Sequence, residues 1–428
     1  MKKTLISIAA ASLIVTSAMA ADKGIDITTT GQAVIYYETE STNATDGAEL
    51  FGSKSGVDKS VANVGLQLNL DADLKNGFTF GSQLTYLGTA GLEKNLVVGA
   101  KQDTTQSTTS ETDSQIMMTK LFVAKKIENT TVKLGRQELP MSLAPFTYTE
   151  GWSVFKNTFD AVLAVNTDIP DTTLVGAYVS QGNSVAAGSF DTMSDFEAHT
   201  TVGDVYVTGA AYMLTVQNKS LPMTTITASY YDVAKLDTNA SGSGANEGAS
   251  IVWIDAKIAD KSLPMGLTIG LQGGTLMTET SALDDTTAFG AKVDFKPMDA
   301  LTLGLAYSSV DDGDVAMRNI APGAQASPLY TQIAKNVDAI SLDADTFLVK
   351  AAYNTGDYGT VIARATQTSA GDNNQYGAKN DYTDIEFLYI IKSGGVKYLA
   401  SYMIKSWEDK VSGSDDNNVV RFWARYNF

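Results

Sequence analysis

The stretch N-N-V-V-R-F-W-A-R-Y-N-F (417–428) decides the fold. Read with period two, Val420, Phe422, Ala424, Tyr426 and Phe428 point one way. Val419, Arg421, Trp423, Arg425 and Asn427 point the other. Side chains on a β-strand alternate strictly between faces, so this is a strand set between two different solvents. One face suits lipid and the other water. Aromatic residues sit near the end of the apolar face, at girdle height, and two arginines sit on the wet face, as in a transmembrane barrel strand.

The opposite end reads as a processing segment. Lys2 and Lys3 supply charge, Thr4 to Thr16 is a short apolar run, and Ala18-Met19-Ala20 fits a small-x-small cleavage rule. A signal peptide over 1–20 is expected, with residues 21–428 as one barrel domain. Loss of Lys2 and Lys3 takes the formal charge from −17 to −19. That acidic balance argues against nucleic acid as a partner. No other run is long and apolar enough for a spanning helix. There is no cysteine, which excludes disulfides and thiolate chemistry. The single histidine, His199, leaves little for a metal site or a catalytic triad. Neither a metal nor a cofactor is expected. Mean hydropathy is −0.05, as when only alternate strand residues meet lipid.

Strand-like segments recur along the whole chain with no linker between them. Strand 1 covers Thr28 to Glu38, with Ile27, Thr29, Ala33, Ile35 and Tyr37 on one face. In strand 2, Ala62, Val64, Leu66, Leu68, Leu70, Ala72 and Leu74 alternate with Asn63, Gly65, Gln67, Asn69, Asp71 and Asp73. Lys75-Asn76-Gly77 is a tight turn, because Asn and Gly tolerate positive φ. Phe78, Phe80, Leu84 and Tyr86 then alternate with Thr79, Gly81, Gln83 and Thr85.

Further short turns are expected near 127–129, 168–171, 217–222, 260–264, 296–299, 355–358 and 393–395. Long polar loops lie between the hairpins, at 39–60, 88–114, 139–156, 181–203, 234–249, 275–286, 311–343, 368–381 and 407–416. Eight turns and nine loops join eighteen strands, with both termini on the short-turn side. The expected fold is all-β: one transmembrane antiparallel β-barrel with short periplasmic turns and long extracellular loops. Asp191–Thr201 is the place where an extra strand would fit. All eight prolines fall in turns or loops, as the missing ladder donor requires. Lys-Ser-Leu-Pro-Met occurs at 219–223 and again at 261–265, both in turns on the same side.

Three stretches carry a family resemblance: Val132-Lys-Leu-Gly-Arg-Gln-Glu-Leu-Pro140, Asn157-Thr-Phe-Asp-Ala-Val162, and Ala210-Ala-Tyr212 followed by Ala228-Ser-Tyr-Tyr-Asp232. They resemble the OprD-type porins and the major outer-membrane porins of Campylobacter-like bacteria. The resemblance implies an eighteen-stranded barrel in the bacterial outer membrane that admits small hydrophilic solutes or ions, some carrying carboxylates. The terminal Phe428 resembles the signature that the barrel-assembly machinery reads. Lipid and lipopolysaccharide would surround such a barrel. A homotrimer is one assembly the resemblance implies, though no stretch marks an interface.

By the same resemblance the third long loop folds inward, which makes Phe146, Tyr148, Glu150, Trp152 and Phe155 the candidate constriction. The alternative is that these aromatics only pack the loop on the wall. Loop 311–343 is the other candidate to fold in or cover the mouth. Its Asp311-Asp312-Gly313-Asp314 has oxygen ligands for a cation, yet a solvated acidic turn is favoured because no full calcium-loop pattern follows. Alternation puts Lys350, Arg364, Lys397, Lys405, Arg421 and Arg425 on the wet face of the late strands, as a basic stripe selecting anions, with Asp384 and Glu386 among them. A charge facing lipid would cost about 2–4 kcal/mol at midplane. Wall salt bridges without a transport role are the alternative. Asp71 and Asp73 are expected to make the opposite wall acidic. Arg136 shares parity with Val132 and Leu134, which places it above the bilayer or beyond a bulge.

A passive porin is the leading function. An outer-membrane enzyme would need a nucleophile motif beside His199, and none is present. An adhesin or structural barrel fits the Thr/Ser/Asn-rich loops equally well. An energy-coupled transporter would carry a plug domain ahead of strand 1.

Overall fold

The computed structural model describes residues 24–42, 47–92, 95–102, 115–185, 190, 193–194, 196–200, 203–207, 210–237, 247–281, 283–323, 326–336, 339–372, 380–408 and 416–428. The signal segment expected at 1–20 lies outside them. Eighteen strands form the wall: β1 (Asp26–Thr42), β2 (Val61–Lys75), β3 (Phe78–Gly88), β4 (Gln115–Ile127), β5 (Thr130–Gln137), β6 (Phe159–Asn166), β7 (Thr172–Asn183), β8 (Ala211–Asn218) and β9 (Thr224–Asp237), then β10 (Glu247–Ala259), β11 (Thr268–Thr278), β12 (Thr286–Met298), β13 (Leu301–Val310), β14 (Ala344–Asn354), β15 (Thr360–Ala370), β16 (Asn380–Ser393), β17 (Val396–Trp407) and β18 (Asn417–Asn427). Each pairs antiparallel with the next. The sheet closes where β18 meets β1, from Gln32↔Asn427 to Thr42↔Asn417. Closure removes both sheet edges, which is what a bilayer demands of strands.

The period-two reading survives in the side chains. Ile35 is exposed on the outside while Tyr36 is fully buried inside. Leu134, Leu214, Ile254, Phe289, Phe347, Phe387 and Phe422 are exposed on the outer surface, where lipid would cover them. The eight expected turns are all present. At the first, Lys75, Asn76 and Gly77 have φ of 70°, 51° and 76°, the left-handed run that Asn-Gly turns permit. The repeated pentapeptide builds one turn twice. Ser220 donates from its backbone N–H and hydroxyl to Asn218 Oδ1, and Ser262 does the same to Asp260 Oδ1. Met223 and Met265 close the two copies at φ 60° and 54°.

The extra strand expected near 191–201 is a hairpin outside the barrel count. Its pieces, Met193–Ser194, Phe196–Thr200 and Gly203–Val207, run along the rim. They pair with the end of β7 at Asn183↔Met193 and with β9 at Tyr206↔Asp237. Because β8 begins only at Ala211, the hairpin fills the height that β8 leaves open between β7 and β9.

The largest apolar core lies inside the barrel. Phe146 and Leu139 from one loop and Met317, Ile320, Leu329 and Ile340 from another pack on Val179, Tyr231, Ile251, Trp253 and Val310 of the wall. The long loops therefore fill much of the lumen instead of leaving a wide channel.

Candidate functional site: the lumen eyelet

The loop between β5 and β6 is held inward by features spread around the wall. Phe146 packs edge-on against Tyr231 and Trp253, with ring centroids 5.8 and 5.3 Å away. The Thr215 hydroxyl donates to Leu143 O at 2.9 Å, and Arg425 donates to Ser153 O at 2.7 Å. These anchors sit on β8 and β18, so the loop reaches across the lumen. Phe155 fills a hollow over Gly65 of β2, where a Cβ would stand only 2.4 Å from its ring. Gln102 brackets the same residue, accepting from Phe155 N–H at 2.8 Å and donating to its carbonyl at 3.1 Å.

Glu150 ties this loop to the one between β13 and β14. Its Oε1 accepts from the Asn319 amide at 2.9 Å and from the Ala326 N–H at 3.0 Å. Its Oε2 accepts from the Trp152 indole N–H at 2.5 Å. Asn319 also accepts from the Tyr148 N–H at 3.2 Å and donates back to the Tyr148 carbonyl at 2.9 Å. Of the five residues expected to form the constriction, Phe146, Tyr148, Glu150 and Phe155 are buried. They set the loop's position. Trp152 alone of the five is half-buried, and it borders open space.

That space is an eyelet of about 400 Å³ against the β15–β18 and β1 wall, lined by Trp152, Trp423, Lys101, Lys335, Arg364 and Arg421, with Glu38 and Glu386 behind them. Glu38 holds the centre of the charge network. It accepts from Lys101 at 2.5 Å, from Arg421 Nε at 2.6 Å and from the Tyr36 hydroxyl at 2.7 Å. Arg364 is paired with Glu386. Lys335 bonds Glu40 at 3.2 Å. In these pairs the cation is the exposed partner. Side-chain exposure is 27% for Arg364 against 3% for Glu386, 21% for Lys101 against 10% for Glu38, and 25% for Lys335 against 19% for Glu40. The carboxylates stand towards the wall and the positive groups towards the water. Burial lowers the Lys101 pKa below the usual lysine range, and Glu38 only partly offsets it.

The remaining residues of the expected stripe are placed as follows. Lys350 is next to Arg364 in register and pairs with Asp294 at 2.8 Å. Lys397 is opposite Arg425, and both stand over Trp423, at 5.6 and 4.7 Å from its ring. Lys405 is buried between Tyr382 and Trp407, with its ammonium 4.6 and 4.7 Å from their rings. It lies opposite Asp384, which is buried with it.

Three expectations need correction or resolution. Asp71 and Asp73 do not form a wall opposite the basic stripe. β2 pairs with β1, which pairs with β18, so closure brings the first strands beside the last. Asp71 lines a second lumen cavity of about 750 Å³ together with Arg425, and Asp73 faces Lys75 at 3.7 Å. Arg136 lies on the outer face at the loop end of β5, in a two-pronged pair with Asp160 at 3.0 and 3.2 Å. The Asp311–Asp314 turn serves the backbone: Asp311 accepts from Thr287 N–H and Asp314 from Asp284 N–H, each at 2.7 Å. Among the described residues, no group of three or more Asp, Glu or His side chains is placed to hold a metal.

Glu38, Lys101, Lys335 and Asn319 escaped the sequence reading. Glu38 shares the inward parity of Tyr36, so alternation marks it. Lys101, Lys335 and Asn319 lie in aperiodic loops, where no signal identifies them.

A closed eighteen-stranded transmembrane barrel, its lumen narrowed by two inward loops to a charged eyelet, has the outer-membrane porin fold. No protein-family model and no curated protein sequence matches the chain. Solved structures do. The chain is similar to Acinetobacter baumannii OccAB3, at 12% identity and a TM-score of 0.76, covering 94% of this chain and 99% of that one. It is similar to Acinetobacter baumannii OccAB2 at 14% identity and a TM-score of 0.72, and to Pseudomonas aeruginosa OccK8 (OprE) at 13% and 0.71, each covering 94% of this chain and 98% of the other. These are porins of the Occ/OprD type, and at such identities the likeness is one of fold.

Proposed function

We propose that the chain is an outer-membrane porin that passes small hydrophilic solutes by passive diffusion and favours anionic ones, carboxylates among them. The observation that carries the preference is the layering of the eyelet, with exposed cations over buried carboxylates. A solute at the eyelet meets Arg364, Lys101 and Lys335 before it meets Glu386, Glu38 or Glu40. Cations standing nearer the water than their paired carboxylates raise the local concentration of anions in a narrow, low-dielectric passage. The test is the reversal potential of the refolded protein in a planar bilayer under a potassium chloride gradient. Anion preference that falls in Arg421→Gln and Arg364→Gln is expected. Cation preference would overturn the selectivity reading, and absence of conductance from a folded barrel would overturn the channel.

A further inference from the structure

The eyelet cations are paired, whereas a second group of cations in the lumen is not. Lys257 of β10 and Lys292 of β12 lie in one cross-strand row with Gly270 of β11 between them. Lys219 follows β8 in the adjacent turn. All three line a cavity of about 960 Å³ beneath the inward loops. Among the described residues, none of the three makes an ion pair. The carboxylates nearest them are engaged elsewhere: Asp255 accepts the Tyr330 hydroxyl, Asp294 pairs with Lys350, and Glu150 accepts from Asn319, Ala326 and Trp152.

The wall is hollowed for this arrangement. A Cβ on Gly270 would stand 2.8 Å from both Lys292 Cε and the Tyr330 hydroxyl, and one on Gly290 would stand 3.2 Å from Gln272 Nε2. The Lys292 ammonium lies 3.9 Å from the Tyr330 ring centroid, so the ring orients it by cation–π contact without neutralising it.

Among the described residues, two buried polar atoms of the cavity lining have no partner. They are the Gln272 amide nitrogen and the Tyr148 hydroxyl. Buried polar groups are otherwise almost always paired, so these two point to a visiting acceptor. Thr225, Thr227 and Ser229 add hydroxyls to the floor. An aromatic or aliphatic anion would satisfy the lysines and leave Gln272 and Tyr148 unpaired. A solute with several hydroxyls and one anionic group would satisfy both sets.

We propose that this cavity is a binding station for a small polyhydroxylated anion, such as a sugar acid or a sugar phosphate, next to the eyelet across Trp152. The station rests on the channel reading only for its place in transport. Lysine ammoniums are compact point charges, so carboxylate and phosphate share the chemistry.

The test uses the full-length protein in a planar bilayer with gluconate or glucose 6-phosphate on one side. Wild type should show resolved blockades. Lys257→Gln/Lys292→Gln should shorten them by about tenfold or more, as loss of one charge-assisted hydrogen bond implies. A β-rich circular-dichroism spectrum matching wild type would show that it is folded, and measurable conductance in potassium chloride that it is open. Gln272→Leu should shorten gluconate blockades and leave propionate unaffected, since propionate has no hydroxyls. Blockades of gluconate and glucose 6-phosphate that are equal in wild type and the double variant would overturn the station. Tryptophan fluorescence separates the two readings, because Trp152 and Trp253 border the cavity. A silent bilayer with gluconate quenching that the double variant loses would sink the channel and keep the station. A silent bilayer without such quenching would sink both.

Discussion

Glu150→Ala tests whether the two inward loops act as one body. The carboxylate accepts from Asn319, Ala326 and Trp152, and the residue is buried. Each donor left unpaired in a buried site costs about 1–3 kcal/mol. Water drawn into the gap would re-pair some of the three. Even one donor left orphaned shifts the balance between latched and released loops by about fivefold or more. The barrel wall carries none of these bonds, so the sheet should fold as before. The change should appear in single-channel records as a larger mean conductance with added open-channel noise. Glu150→Gln should be milder, because its carbonyl still accepts while its amide faces the indole N–H. A quiet channel of wild-type conductance from Glu150→Ala would refute the latch.

Three other outcomes follow from the same geometry. Arg364→Gln strands the buried Glu386 and should cost about 3–5 kcal/mol in urea unfolding, most of it regained in Arg364→Gln/Glu386→Gln; equal midpoints for the single and double variants would contradict this. Gly65→Ala should expel the Phe155 ring and alter unitary conductance while the barrel remains folded, whereas an unchanged conductance would show that the loop does not depend on that hollow. Glu138, in the loop after β5, is held below the usual carboxylate range; burial opposes its charge, but Lys120 and Lys156 outweigh burial. Its contribution is thus present above the ordinary glutamate pKa and is lost only as pH falls through the lowered one, so no conductance step owed to Glu138 should appear between neutrality and about pH 4.3. A step at or above that value that Glu138→Gln abolishes would reverse the sign.

The wall was legible because lipid and water impose a period of two. In β2 and β18 a glance at alternate residues assigns each side chain to a face, and Asn-Gly or proline marks five of the eight turns. What alternation cannot report is neighbourhood around the ring. Asp71 was assigned to the wrong side of the pore because closure places β2 two strands from β18. The loops obey no period at all. That Phe146 would seat against Tyr231 and Trp253, or that Lys101 would reach Glu38 across 63 positions of sequence, depends on a three-dimensional fit with no local signature. Even so, the family resemblance pointed to 139–156 as the loop that goes inward.

The Glu38–Arg421 bond spans the junction of the first and last strands. A sheet whose ends had not yet met would have neither that bond nor an eyelet. The same contact that narrows the passage therefore completes the cylinder. An unfinished barrel caught in the membrane would lack the eyelet as well as the seam. Sealing the cylinder and building the eyelet are one step.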